Sequence, residues 1–78
     1  MVKIKYFGIL KPCMPQIEDD GFWHADKDGT AIGQVLEETE VIGKAANMVI
    51  LVNKVRKAKD YVLQDGDTMT VMPLVAGG

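Results

Sequence analysis

The chain has one cysteine, Cys13, one histidine, His24, and no serine. A serine nucleophile with a histidine base therefore cannot be assembled. A Cys13 and His24 pair would rest on Lys11-Pro12-Cys13-Met14-Pro15, a loop-like stretch with nothing to orient a base, so Cys13 reads as an incidental thiol. One cysteine closes no internal disulfide, and one cysteine with one histidine falls short of a four-ligand zinc site. Asp26-x-Asp28 with Glu37 imitates the first, third and twelfth ligands of a calcium loop, but Ala31 stands at the sixth position, where the sharp turn demands glycine. Asp65-Gly66-Asp67 reads as a turn, because aspartate accepts backbone hydrogen bonds and glycine supplies positive φ. No metal site and no bound cofactor are expected.

The sequence closes on Pro73-Leu74-Val75-Ala76-Gly77-Gly78. Taken as the terminus, this tail holds out the free carboxylate of Gly78. Pro73 lacks an N–H and is expected to end strand pairing, which divides the chain into a domain of residues 1–73 and a flexible tail of residues 74–78. Five extended residues reach about 17 Å, enough to thread a partner's buried site. Glycine has no Cβ, so a narrow tunnel can close around Gly77 and the Gly78 carboxylate can approach a nucleotide or a nucleophile. Leu74, Val75 and Ala76 are the expected tunnel contacts.

Alternation in Val2-Lys3-Ile4-Lys5-Tyr6-Phe7 predicts a half-buried first strand that ends at Gly8. Residues 9–17 carry Pro12 and Pro15 and read as a loop, and residues 17–25 as a second strand. Asp28 or Thr30 is the expected N-cap of a helix whose apolar face is Ile32, Val35 and Leu36, with Glu37, Glu38 and Glu40 mainly toward solvent and Gly43 at its end. Met48 to Val52 reads as a central strand. Asn53 turns the chain into a short basic segment, Leu63-Gln64-Asp65-Gly66-Asp67 forms a tight turn, and Thr68 to Met72 is the last strand. This order predicts an α+β domain with a mixed sheet of four to five strands and one main helix across one face. Ile4, Tyr6, Ile32, Val35, Leu36, Ile50, Val52, Met69 and Val71 are the expected core.

With 78 residues and 47% hydrophobic composition, the chain has room for one small domain. Its longest fully apolar run is five residues, far short of the ~20 of a membrane helix, and its alternating N-terminus lacks the apolar stretch of a secretory signal. No membrane partner and a cytoplasmic location are expected. Residues 18–40 hold eight acids and one base, and the remainder holds eight bases and three acids, so the segments carry −7 and +5 and the molecule is dipolar. Lys54, Arg56, Lys57 and Lys59 surround only Val55 and Ala58, without the aromatic interleaving of a nucleic-acid site, so no nucleic-acid partner is expected.

The first strand, the Ile50-Leu51-Val52-Asn53 strand end, Leu63-Gln64-Asp65-Gly66-Asp67 and the tail from Pro73 to Gly78 together resemble the ubiquitin-like sulfur-carrier family. Its members include the small subunit of molybdopterin synthase and the thiamine-pathway carrier. The resemblance implies a β-grasp fold. It further implies that an activating enzyme uses ATP to adenylate Gly78 and that, with a sulfur donor protein, the terminus becomes a thiocarboxylate, Gly77 serving as its tether. Such a chain is a carrier or small subunit, not itself an enzyme, and a synthase large subunit is a further implied partner. Pro73-Leu74-Val75-Ala76 leans toward the molybdopterin type. The thiamine pathway, or conjugation to other proteins through Gly78, uses the same activation chemistry. Asn53-Lys54 replaces the Asn-Gly common in thiamine-type members, which predicts an altered or longer turn, since lysine tolerates positive φ poorly. Phe22-Trp23-His24 matches no pattern of the family.

Strand alternation assigns the partner surface. With Ile50 and Val52 toward the helix, Leu51 points away, as do Phe7 and Met72, near the end of the sheet from which the tail departs. Phe7, Leu51 and Met72 are the expected docking patch for the activating enzyme or synthase partner.

Overall fold

The computed structural model describes residues 1–44 and 47–74. Five strands form: β1 (Val2–Tyr6), β2 (Trp23–Ala25), β3 (Met48–Val52), β4 (Val55–Arg56) and β5 (Thr68–Pro73), with one α-helix, α1 (Ile32–Glu38). They lie in the order β2-β1-β5-β3-β4, with β1 and β5 parallel and the other pairs antiparallel. The expected mixed sheet with one main helix is thereby observed. The middle position belongs to β5, and β3 is its interior neighbour.

Period-2 alternation sets the two faces. Val2, Ile4 and Tyr6 of β1, Ile50 and Val52 of β3, and Met69 and Val71 of β5 are buried in one cluster with Ile32, Val35 and Leu36 of α1. All nine expected core residues belong to it, and Leu10, Val41 and Leu63 join them. Register fixes the layers: Val71 lies opposite Tyr6 and Ile50, and Met69 opposite Ile4 and Val52.

Several local expectations are corrected. Residues 9–17 are not all loop, because Gly8–Cys13 forms a 3-10 helix that buries Leu10. Pro12 lies inside it, with the Leu10 amide donating to the Phe7 carbonyl before it and the Met14 amide to the Lys11 carbonyl after it. The second strand is three residues long, because Glu18 to Gly21 closes as a turn, with the Gly21 amide donating to the Glu18 carbonyl and Gly21 at φ +85°. Neither Asp28 nor Thr30 caps α1. Its N-cap is Ala31, and the amides of Ile32 and Gly33 donate to the carbonyls of Tyr61 and Lys59 at 2.9 and 2.8 Å. Gly33 permits this approach, since a Cβ there would stand 3.4 Å from the Lys59 oxygen. The helix stops at Glu38; Glu40, at φ 60°, reverses the chain into a separate 3-10 turn, Val41–Gly43.

Two turn expectations also change. Asn53 and Lys54 adopt φ 52° and 69° between paired Val52 and Val55, so the β3–β4 turn keeps two residues, with the positive φ at both centres that a type I′ hairpin requires. Pro73 does not end pairing. It lies opposite Met48, and the next amide, Leu74, donates to the Asn47 carbonyl at 3.1 Å. By alternation the Pro73 nitrogen faces the β1 side, where β1 has already finished, so no ladder bond is lost.

Candidate functional site

The tail leaves the sheet from β5, and exposed Leu74 is the last residue described. Val75, Ala76, Gly77 and Gly78 lie outside the described residues. What the structure fixes is the root of the tail, beside β3, and the sheet face next to it.

That face, opposite α1, can be read in rows from the register. The row nearest the tail joins Phe7, Met72 and Val49, the next joins Lys5, Thr70 and Leu51, and the third joins Lys3 and Thr68. Phe7 is 38% exposed, whereas Leu51 and Met72 are half-buried. The 3-10 segment leaves Phe7 uncovered. The three residues of the expected patch thus share one face, but they do not share one depression. Leu51 lines a cleft with Phe22, Asn53, Lys54, Thr68 and Thr70, and Phe7 lines another with Lys11, Met14 and Ile17.

Phe22 was not singled out for this face by the sequence reading. Alternation carries the signal, since Trp23 packs against the core and its neighbours Phe22 and His24 must turn outward. Lys5 Nζ lies 5.3 Å from the ring centroids of both Phe7 and Phe22, and Lys3 Nζ lies 5.6 Å from that of Phe22. Asp20 accepts from the Phe22 amide at 3.0 Å and pairs with His24 at 2.8 Å and Lys3 at 3.8 Å. The amide bond, then the His24 contact and the Lys3 charge, hold its carboxyl below the usual range against the opposing effect of burial.

The Asp-Gly-Asp turn serves the fold. Gly66 adopts φ +88°, and buried Asp67 accepts from the Asn53 amide, the Tyr61 hydroxyl and the Gln64 backbone N–H at 2.9, 3.0 and 2.9 Å. Burial opposes its ionisation, but these bonds and the Lys57 charge outweigh that and hold the carboxyl below the usual range. Cys13 is half-buried and shares a depression with Pro12, Thr39 and Lys44, whereas His24, on β2, is engaged by Asp20 of the preceding turn. Among the described residues no group of three or more His, Cys, Asp or Glu is placed to hold a metal ion. Nor is any helix among them long and apolar enough to cross a membrane.

The model of the ThiS family matches residues 4–78, from the first strand through the final glycines. The chain belongs to the ThiS family. Its β-grasp sheet and helix are accordingly those of a ubiquitin-like sulfur-carrier fold. The solution structure of the Haloferax volcanii HVO 2177 protein is similar in fold, with a TM-score of 0.66 at 24% identity, covering 99% of this chain and 85% of that one. A complex of subunits 1 and 2 of molybdopterin-converting factor from Helicobacter pylori 26695 contains a chain similar to this one, with a TM-score of 0.56 at 25% identity, covering 99% of this ThiS-family chain and 97% of that chain. No curated protein matches the sequence.

Proposed function

We propose that this ThiS-family chain is a cytoplasmic sulfur carrier whose Gly78 carboxylate is adenylated by an activating enzyme and converted to a thiocarboxylate, serving molybdopterin biosynthesis. The family match carries the reading, because it extends through Gly77 and Gly78. A carboxylate oxygen of Gly78 attacks the α-phosphorus of ATP and pyrophosphate leaves. Sulfur at the oxidation level of sulfide, delivered by a donor protein, then attacks the acyl carbon; AMP leaves, and the thiocarboxylate remains. The chain is co-substrate, not enzyme. Its own contribution is reach, backbone slenderness at the two glycines, and a surface that docks the partner.

The likeness to a molybdopterin-converting factor complex supports the pathway and a second partner, a synthase large subunit. Intact-mass measurement on protein from its native cell tests the reading. The expected product carries one sulfur in place of one oxygen and loses it when the activating enzyme is deleted. Isopeptide adducts through Gly78 point instead to a protein modifier, and an unmodified terminus under every condition overturns both.

A further inference from the structure

We infer that the Phe22 cleft on the outer sheet face is a specificity site for the adenylating partner, and that it receives an apolar side chain from a partner segment bearing carboxylates. This deepens the proposed function and rests on it for the identity of the partner. The sheet order puts Phe22 on the β2 side and Lys54 on the β3–β4 side, with Thr68, Thr70 and Leu51 between them around a cleft of about 460 Å³. Phe22 and Leu51 supply the apolar walls. Lys54 supplies a cation at the rim, beyond the reach of the core.

The walls are set before any partner arrives. Phe22 is tied by its amide to Asp20, by its carbonyl to the Glu18 amide at 2.8 Å, and by its ring to the two lysines of β1. A preformed wall loses little freedom on binding. Lys54 sits at φ 69° in the second position of a type I′ turn, where glycine is strongly preferred. Holding a lysine there strains the backbone, a local strain of the kind that accompanies a side chain kept for contact.

Charge selects the occupant. Lys5 and Lys54 stand at this face with Lys3, which pairs with Asp20, whereas Glu37, Glu38 and Glu40 are exposed on α1 and the turn after it. An acidic partner segment is therefore drawn to the sheet face and repelled from the helix face, which turns the sheet face toward the enzyme.

Titration calorimetry with the adenylating enzyme of the source organism reads docking without chemistry, and ATP–pyrophosphate exchange reads adenylation. Phe22→Ala and Lys54→Gly each weaken Kd on the order of tenfold, raise KM alongside it and spare kcat; added salt weakens wild type more than Lys54→Gly. Lys54→Gly relieves the strained turn, so its loss of affinity does not reflect a loss of fold. Deleting Gly78 abolishes exchange yet preserves Kd. An affinity unchanged in both variants, or a wild-type chain that does not bind the enzyme, overturns the cleft assignment. Tight wild-type binding without exchange overturns the carrier reading alone.

Discussion

The Asn53 side-chain amide donates to Asp67 Oδ1 at 2.9 Å, while its carbonyl oxygen accepts from the Thr68 backbone N–H at 3.0 Å. One residue of the β3–β4 turn thus locks the entry to β5, the strand on which the rest of the sheet is built. Asp67→Ala leaves the Tyr61 hydroxyl and the Gln64 amide without their acceptor and is expected to cost about 1–3 kcal/mol in urea unfolding. Asn53→Ala is expected to cost less than that. In the double variant the two effects fall short of their sum by at least roughly 0.5 kcal/mol, because the residues share one network.

Acid stability should carry the signature of the same carboxylate. Its folded pKa lies below the usual aspartate value of ~3.9. Its contribution is therefore present above the unfolded pKa and is lost as pH falls through the lower folded one. The stability difference between wild type and Asp67→Asn is expected to be largest above about pH 4 and to shrink below it, as read by urea midpoints across the acid range.

At the alkaline end the relevant group is Tyr6, fully buried beneath α1 with its hydroxyl 2.8 Å from Thr39 Oγ1. Burial pushes its pKa up from 10.0 to about 12, with the Thr39 bond opposing. An unfolded tyrosine ionises first, so this stability is present below pH 10 and drains away as pH rises toward about 12. Tyr6→Phe costs about 0.5–1.5 kcal/mol at neutral pH. It should lose less stability than wild type through the alkaline range, which phenolate absorbance and circular dichroism can follow together.

Periodicity made the sheet, the helix and the core legible because each is a repeated decision: Ile4 and Tyr6, or Ile32, Val35 and Leu36, are selected by spacing alone. What escaped was set by single long-range contacts. The start of α1 depends on carbonyls of Lys59 and Tyr61, nearly thirty residues away, so a local cap at Asp28 or Thr30 looked sufficient. Pro73 stays paired because β1 is one residue too short to need its N–H, a fact that belongs to the register and not to Pro73. The shortening of β2 follows from Glu18 to Gly21 closing on itself, and that turn is what brings Phe22 over the lysines of β1. On the site side, alternation placed Phe7, Leu51 and Met72 on one face, whereas the cleft that Leu51 shares with Phe22 depends on how β2 folds back against β1.

Ile50 tests the register of β3. It is 5% exposed and lies opposite Val71 in the layer beneath α1. Ile50→Ala is expected to cost about 2–5 kcal/mol. It also lines a basic cleft with Met48 and Lys57, where neighbouring side chains can settle, so the lower half of that range is the expected outcome. A loss near zero contradicts the register, because a shift of one residue would turn Ile50 to the outer face and bring Leu51 inward.

Activity should follow the tail and spare the thiol. Cys13 sits at the end of a 3-10 helix, and the chain's one histidine, on β2, is hydrogen-bonded to Asp20 and not to the thiol. Under the carrier reading the reacting group is the Gly78 carboxylate. Cys13→Ala is expected to retain sulfur transfer within about twofold of wild type, since the carrier reading gives the thiol no part in the chemistry. Deleting Gly78 is expected to abolish adenylation with an unchanged urea midpoint, since the last residues of a chain commonly add little stability. Full loss of transfer in folded Cys13→Ala would move the chemistry to the thiol, and adenylation that persists without Gly78 would place the reacting carboxylate elsewhere in the chain.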